Sequence, residues 1–281
     1  MTAEPVRQTS DAMRWLVVPF TLLAGLGALQ LYVFPQDTDR FFAWTLKPQH
    51  SAMFMGAGFA AGVALTVLSF RRQAWAVTRT AAYAIFVFVV AMTIATFIHI
   101  DLMHLDSDVG TAQLAAWGWT VVYTVIAPVL GILIYLQHRQ PGVDPERTHP
   151  LPPGLRWALA AEGGIMAVIG VVLFAAPAGV ANWWPWPVTP FSGRALASWI
   201  ISIGVAALWA SFENDLHRLR PAAITFTLVN ALWLIALVRG SGDILWERPS
   251  AWIYLAFVVV ALGTGAWGVA LTRRSSESAA A

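Results

Sequence analysis

The stretch Phe97-Ile98-His99-Ile100-Asp101-Leu102-Met103-His104-Leu105-Asp106-Ser107-Asp108 gathers two histidines and three aspartates at the end of an apolar run. Histidine and aspartate are borderline-to-hard metal ligands. If the preceding helix continued, Asp101, His104 and Asp108 would stand at i, i+3 and i+7 on one face. His99 would lie about 140° from His104 around that helix. His50 opens another apolar run on the same membrane side and could join them. His50, His99, Asp101 and His104 are therefore the candidate ligands for a metal or haem. The same residues also fit a solvated polar helix end, a proton relay or a substrate-binding pair. Neither HExxH nor a Cys/His zinc spacing is present, and no cofactor is required by the sequence.

Polar groups inside apolar runs are functional candidates by default. Glu162 stands about four residues into one such run, Asn230 near the middle of another, and Gln30 towards the end of the first. Glu162 could carry a proton or reach the headgroups, and Asn230 could join helices. The segment Glu213–Arg220 reads as a solvated turn of mixed charge. Two segments, 34–48 and 181–190, are rich in tryptophan and proline. Trp44 and Trp186 lead them, as an interfacial belt or as paired aromatic lids over a shared outward cavity. The candidate ligand-binding residues are Trp44, Trp186, Asp101, Asp243, Glu162 and Asn230.

Much other chemistry is excluded. The chain has no cysteine, hence no disulfide and no thiolate. Lys47 is its single lysine and lies in a loop, so no span carries one for a Schiff base. No Gly-rich phosphate loop, nucleophile elbow or series of gating arginines is present.

The elements that position these residues follow from hydropathy. Of 281 residues, 58% are hydrophobic and only 11% charged, against about 25% charged in soluble domains. Mean hydropathy is +0.65. Runs long enough for a membrane-spanning helix cover Trp15–Phe34, Ser51–Phe70, Thr80–Ile98, Leu114–Leu136, Trp157–Ala176, Ala195–Phe212, Ala222–Val238 and Ala251–Leu271. The first is longer than a signal-peptide core of roughly 7–15 residues and reads as a retained helix. Continuous rather than alternating apolar runs argue against a sheet barrel.

Arginines set the expected sidedness. Arg7, Arg14, Arg71, Arg72, Arg79, Arg139, Arg147, Arg156, Arg218, Arg220, Arg273 and Arg274 would share one side, with Arg40, Lys47, Arg194, Arg239 and Arg248 on the other. The richer side should be cytoplasmic, with both termini there. Basicity therefore reflects topology, and no nucleic-acid partner is expected.

An offset of 142 residues superposes Arg14-Trp15 on Arg156-Trp157, Pro35 on Pro177, Trp44 on Trp186, Pro48 on Pro190, Gly62 on Gly204 and Asp101 on Asp243. A seven-residue deletion then brings Trp117 onto Trp252. The expected fold is an all-α integral membrane protein of about eight transmembrane helices, built as two parallel four-helix repeats. Residues 1–140 form the first repeat, 141–155 a Pro-rich cytoplasmic linker, and 156–281 the second. Gly58 with Gly62, then Gly163, Gly164, Gly204, Gly263, Gly265 and Gly268, supply small surfaces for helix packing.

The localisation expected is a bacterial-type plasma (inner) membrane, crossed several times. The leading function is binding or transport of a small apolar or amphipathic ligand, such as a lipid or quinone, at the outer side between repeats. A membrane-embedded metal- or haem-dependent enzyme and a non-catalytic membrane subunit stand as alternatives. The bilayer and that ligand are the expected partners, with a homo-oligomer or membrane complex left open.

Overall fold

The computed structural model describes residues 4–71 and 74–278, with side chains through Arg273. Among the described residues, eight helices are long and apolar enough to cross a membrane: α1 (Asp11–Val33), α2 (Gln49–Phe70), α3 (Trp75–Ile98), α4 (Gly110–His138), α5 (Pro153–Ala175), α6 (Pro190–Glu213), α7 (Leu216–Arg239) and α8 (Pro249–Arg273). The protein is thus a helical, multi-pass membrane protein. Arg72 and the Arg274 side chain, both used in the arginine distribution, lie outside the described residues.

Several helices start before their apolar windows because polar residues cap them. Ser10 accepts from the Met13 N–H, Thr189 from Ser192 and Asp215 from Arg218. Proline occupies the first turn of α5 and α6, where its missing N–H costs no helical bond. Asn214, at φ 50°, ends α6 in the left-handed region.

Helices α2, α3, α6 and α7 are the more buried, while α1, α4, α5 and α8 are the more lipid-exposed. The packing is reciprocal. α2 lies on α7 and α3 on α6; α1 covers α2 and α5 covers α6; α4 flanks α3 and α8 flanks α7. Close approach needs glycine at the α5–α6 crossing, where a Cβ on Gly163 would fall 2.8 Å from the Gly204 carbonyl oxygen. Gly58 serves differently: the Trp199 ring lies 2.7 Å from where its Cβ would be. Phe88 lies 3.9 Å from that ring, centroid to centroid, and Phe54 stacks on Trp233 at 4.4 Å. Phe88 and Trp199 line a gap of about 80 Å³ among α2, α3, α6 and α7.

The side bearing the chain ends is locked by charge, contrary to the solvated turn expected for Glu213–Arg220. Glu213, Asp215 and Arg218 are buried. Glu213 takes Arg218 Nη1 at 2.5 Å and Arg79 Nε at 2.7 Å, with Arg147 at 3.9 Å. Arg79 also pairs with Asp144, and Arg218 donates to the Pro145 carbonyl. Burial is tolerable because Glu213 and Arg218 are paired with opposite charges and Asp215 accepts three backbone N–H bonds. The Pro-rich segment is stitched down as well: Arg7 donates to the Gly142 carbonyl at 3.0 Å, and Leu151 N–H to Asn214 Oδ1 at 3.1 Å.

Candidate functional site

On the side opposite the chain ends, Trp44 and Trp186 are buried wedges and not exposed lids. Trp44 stacks on Phe191 in the first turn of α6 at 4.4 Å and meets Trp119 of α4 edge-on at 5.0 Å. Trp186 reaches the first turn of α2. Its Nε1 donates to Ser51 Oγ at 2.9 Å, and its ring meets His50 edge-on at 4.4 Å. Each loop tryptophan therefore inserts beside a helix start in the other half of the chain. Large amphipathic rings suit that boundary.

The histidines take separate places. His50 is fully buried, close to the Ala236 carbonyl but outside hydrogen-bond geometry, and its own N–H is held by Asp243 Oδ2 at 2.9 Å. That carboxylate complements the positive end of α2. His99 Nε2 must accept from Arg194 Nη1 at 2.8 Å, since a guanidinium only donates. Burial first, then the Arg194 charge, hold the His99 pKa below the ordinary histidine value, and Asp101 opposes them. His104 brackets the first loop, with Nδ1 3.0 Å from the Phe42 carbonyl and Nε2 3.0 Å from Thr45 Oγ1.

The helix does not continue through this region. α3 ends at Ile98, and His99 (φ −123°, ψ 30°) leads into single 3₁₀ turns at Ile100–Leu102 and His104–Asp106. Asp101, exposed on the first turn, shares no helical face with His104 and Asp108. Among the described residues, no three His, Cys, Asp or Glu side chains group so as to hold a metal ion.

Glu162 is buried on α5 and accepts from Thr264 Oγ1 of α8 at 2.6 Å. Asn230 is buried on α7, its Nδ2 donating to the Phe226 carbonyl at 2.8 Å. Their hydrogen-bond partners, Thr264 and Phe226, are not among the other candidate residues.

Three larger hollows open on this side. A groove of mixed polarity, about 760 Å³, lies between the two first loops, with Thr45, Leu46 and Lys47 facing Pro187, Val188 and Thr189. Two apolar pockets open between the less buried helices, one of about 440 Å³ between α1 and α4 and one of about 320 Å³ between α5 and α8. Their linings correspond. At an offset of 142, Leu23, Ala24, Gly27, Phe41, Phe42 and Ala43 match Ile165, Met166, Ile169, Trp183, Trp184 and Pro185. At 135, Ala115, Gly118, Trp119, Val122 and Tyr123 match Ser250, Ile253, Tyr254, Phe257 and Val258.

Of the residues lining the two apolar pockets, Gln30 and the Trp/Pro-rich roof segments carried a sequence signal, but the helix residues that form the walls did not. Their types are those of any lipid-facing helix, so no local signal separates a hollow from a smooth wall. The Arg194–His99 bond was likewise hidden, since its partners stand 95 residues apart. Comparison with protein-family models, with curated proteins and with solved structures gives no match.

Proposed function

We propose that the chain is a tandem duplication of a four-helix membrane unit with both ends on the cytoplasmic face of a bacterial-type plasma membrane, and that it binds an anionic phospholipid on its outer side. The reciprocal helix packing and the recurring Trp and Pro at one offset support the duplication.

The observation that carries the ligand reading is the pocket between α1 and α4. Its volume of about 440 Å³ falls within the roughly 300–1,000 Å³ common for ligand sites. Its walls are hydrocarbon and aromatic, roofed by Phe41–Ala43. Polar groups stand at its mouth: Gln30 Nε2 donates to the Phe41 carbonyl at 2.8 Å, and Thr111 Oγ1 to the Arg40 carbonyl at 2.5 Å. That second bond ties Arg40 to the mouth, where it is exposed. An acyl chain in the pocket with its phosphate at Arg40 matches both chemistries. Leu23, Leu26 and Leu114 are exposed on the surrounding helix faces, so a chain can enter sideways from the leaflet.

A bilayer offers no hydrophobic drive towards the pocket, because lipid tails are as apolar as its walls. Selectivity must come from shape and from charge. An interfacial arginine contributes about 1 kcal/mol towards an anionic lipid, roughly a fivefold preference.

Ligand-linked stabilisation tests this. Phosphatidylglycerol added to the detergent-purified protein should raise its melting temperature. Gly118 lines the pocket, and a Cβ there meets nothing within 4 Å, so Gly118→Phe should fill the space and abolish the shift. An equal shift in Gly118→Phe would overturn the reading.

A further inference from the structure

We infer that the pocket between α5 and α8 is a second phospholipid site, so that each half of the protein holds one lipid. The inference rests on the reading of the α1–α4 pocket and extends it through the residue correspondence between the two linings. Corresponding positions on three separate elements (the outer helix, the roof loop and the last helix of each half) enclose both hollows, although the side chains differ. Chance hollows on a bundle surface would not share their positions on all three.

Lipid chemistry fits this pocket on its own terms. Ile165, Ile169 and Ile253 are exposed around it, on helix faces that a bilayer covers. A chain reaching them comes from the hydrocarbon layer and not from water. The roof is held by a cation. Arg248 Nη1 donates to the Ala181 carbonyl at 3.2 Å and to the Trp184 carbonyl at 3.1 Å. A guanidinium has five N–H donors in a fork suited to phosphate, and these two bonds use Nη1 alone. Exposed Trp183 adds an interfacial ring at the same level.

The two mouths obtain their cation differently. At the same offsets Arg40 corresponds to Asn182, and Arg248 to Gln113. The charge is therefore placed by the first loop in one half and by the last loop in the other. Its recurrence beside each pocket is a feature of the sites, since neither arginine has an arginine at its corresponding position.

Photo-crosslinking of the full chain in nanodiscs distinguishes the sites. The probe is phosphatidylglycerol with a diazirine in one acyl chain, and adducts are mapped by peptide mass. Adducts should fall on α1 with α4 and on α5 with α8. Gly118→Phe should remove the first set alone, and Ile169→Trp the second alone, with Ile165→Trp as the alternative should the first tryptophan variant not fold. Arg248→Gln should lower the second set about fivefold relative to a phosphatidylcholine probe. Adducts on α1 and α4 only would overturn the second site and leave the first standing. Adducts on α5 and α8 only would support the second site while the first reading fails. Adducts spread over the exposed faces of all eight helices, insensitive to every variant, would overturn both.

Discussion

The indole N–H of Trp186 donates to Ser51 Oγ at 2.9 Å, joining the loop after α5 to the first turn of α2. Both residues are fully buried. The bond spans 135 positions and closes one half of the chain over the other. Trp186→Phe should leave the serine hydroxyl unpaired at a cost of about 1–3 kcal/mol. Thermal unfolding in detergent should show a lower melting temperature for Trp186→Phe and for Ser51→Ala. The double variant should be less destabilised than the sum of the two; strict additivity would contradict the coupling.

Glu213 is the anion shared by Arg79, Arg218 and Arg147. Glu213→Gln should cost about 3–5 kcal/mol, since it strands paired charges in a buried place. The exposed Arg14–Asp11 pair at 3.6 Å should be worth at most about 1 kcal/mol. Denaturant or heat unfolding of Glu213→Gln and Arg14→Gln checks the contrast. Similar losses in both would contradict it.

His99 must be neutral to accept from Arg194. Its folded pKa is held down by burial and by Arg194, below the unfolded value of about 6.5. Between the two values the unfolded chain binds more protons, so this contribution is complete above about pH 6.5 and fades as pH falls. The melting temperature of the wild type should therefore drop more steeply from about pH 7 to about pH 5 than that of His99→Gln. Parallel slopes would contradict the assignment.

Sidedness has its own check. Alkaline phosphatase fused in the loop near Arg40 should be active outside the membrane, and fused after Arg274 it should be inactive. The reverse pattern would overturn the proposed orientation.

Much of this architecture was legible. Eight apolar runs became eight helices because a bilayer leaves backbone groups no other common solution than a helix. Their starts were placed too late at α6 and α7, where polar first-turn residues lie outside any hydropathy window, and at α3, where Arg79 separates the apolar first turn from the rest of the run. The His99–Asp108 segment misled for a different reason. A spacing of three suits a 3₁₀ turn as well as an α-helix, and only the backbone tells them apart. Trp44 and Trp186 were visible as a pair, but composition does not distinguish an interfacial ring from a wedge. The Glu213 network was invisible because Arg79 and Asp144 come from distant segments. The pockets were invisible because absent volume has no residue type.

Native mass spectrometry of the protein extracted directly from membranes tests the central claim most directly. The account predicts phospholipid that stays bound under activation that strips detergent, with retained anionic lipid sharply reduced in Gly118→Phe and lowered about fivefold in Arg40→Gln. A lipid-free wild-type protein, or equal retention in all three proteins, would contradict it.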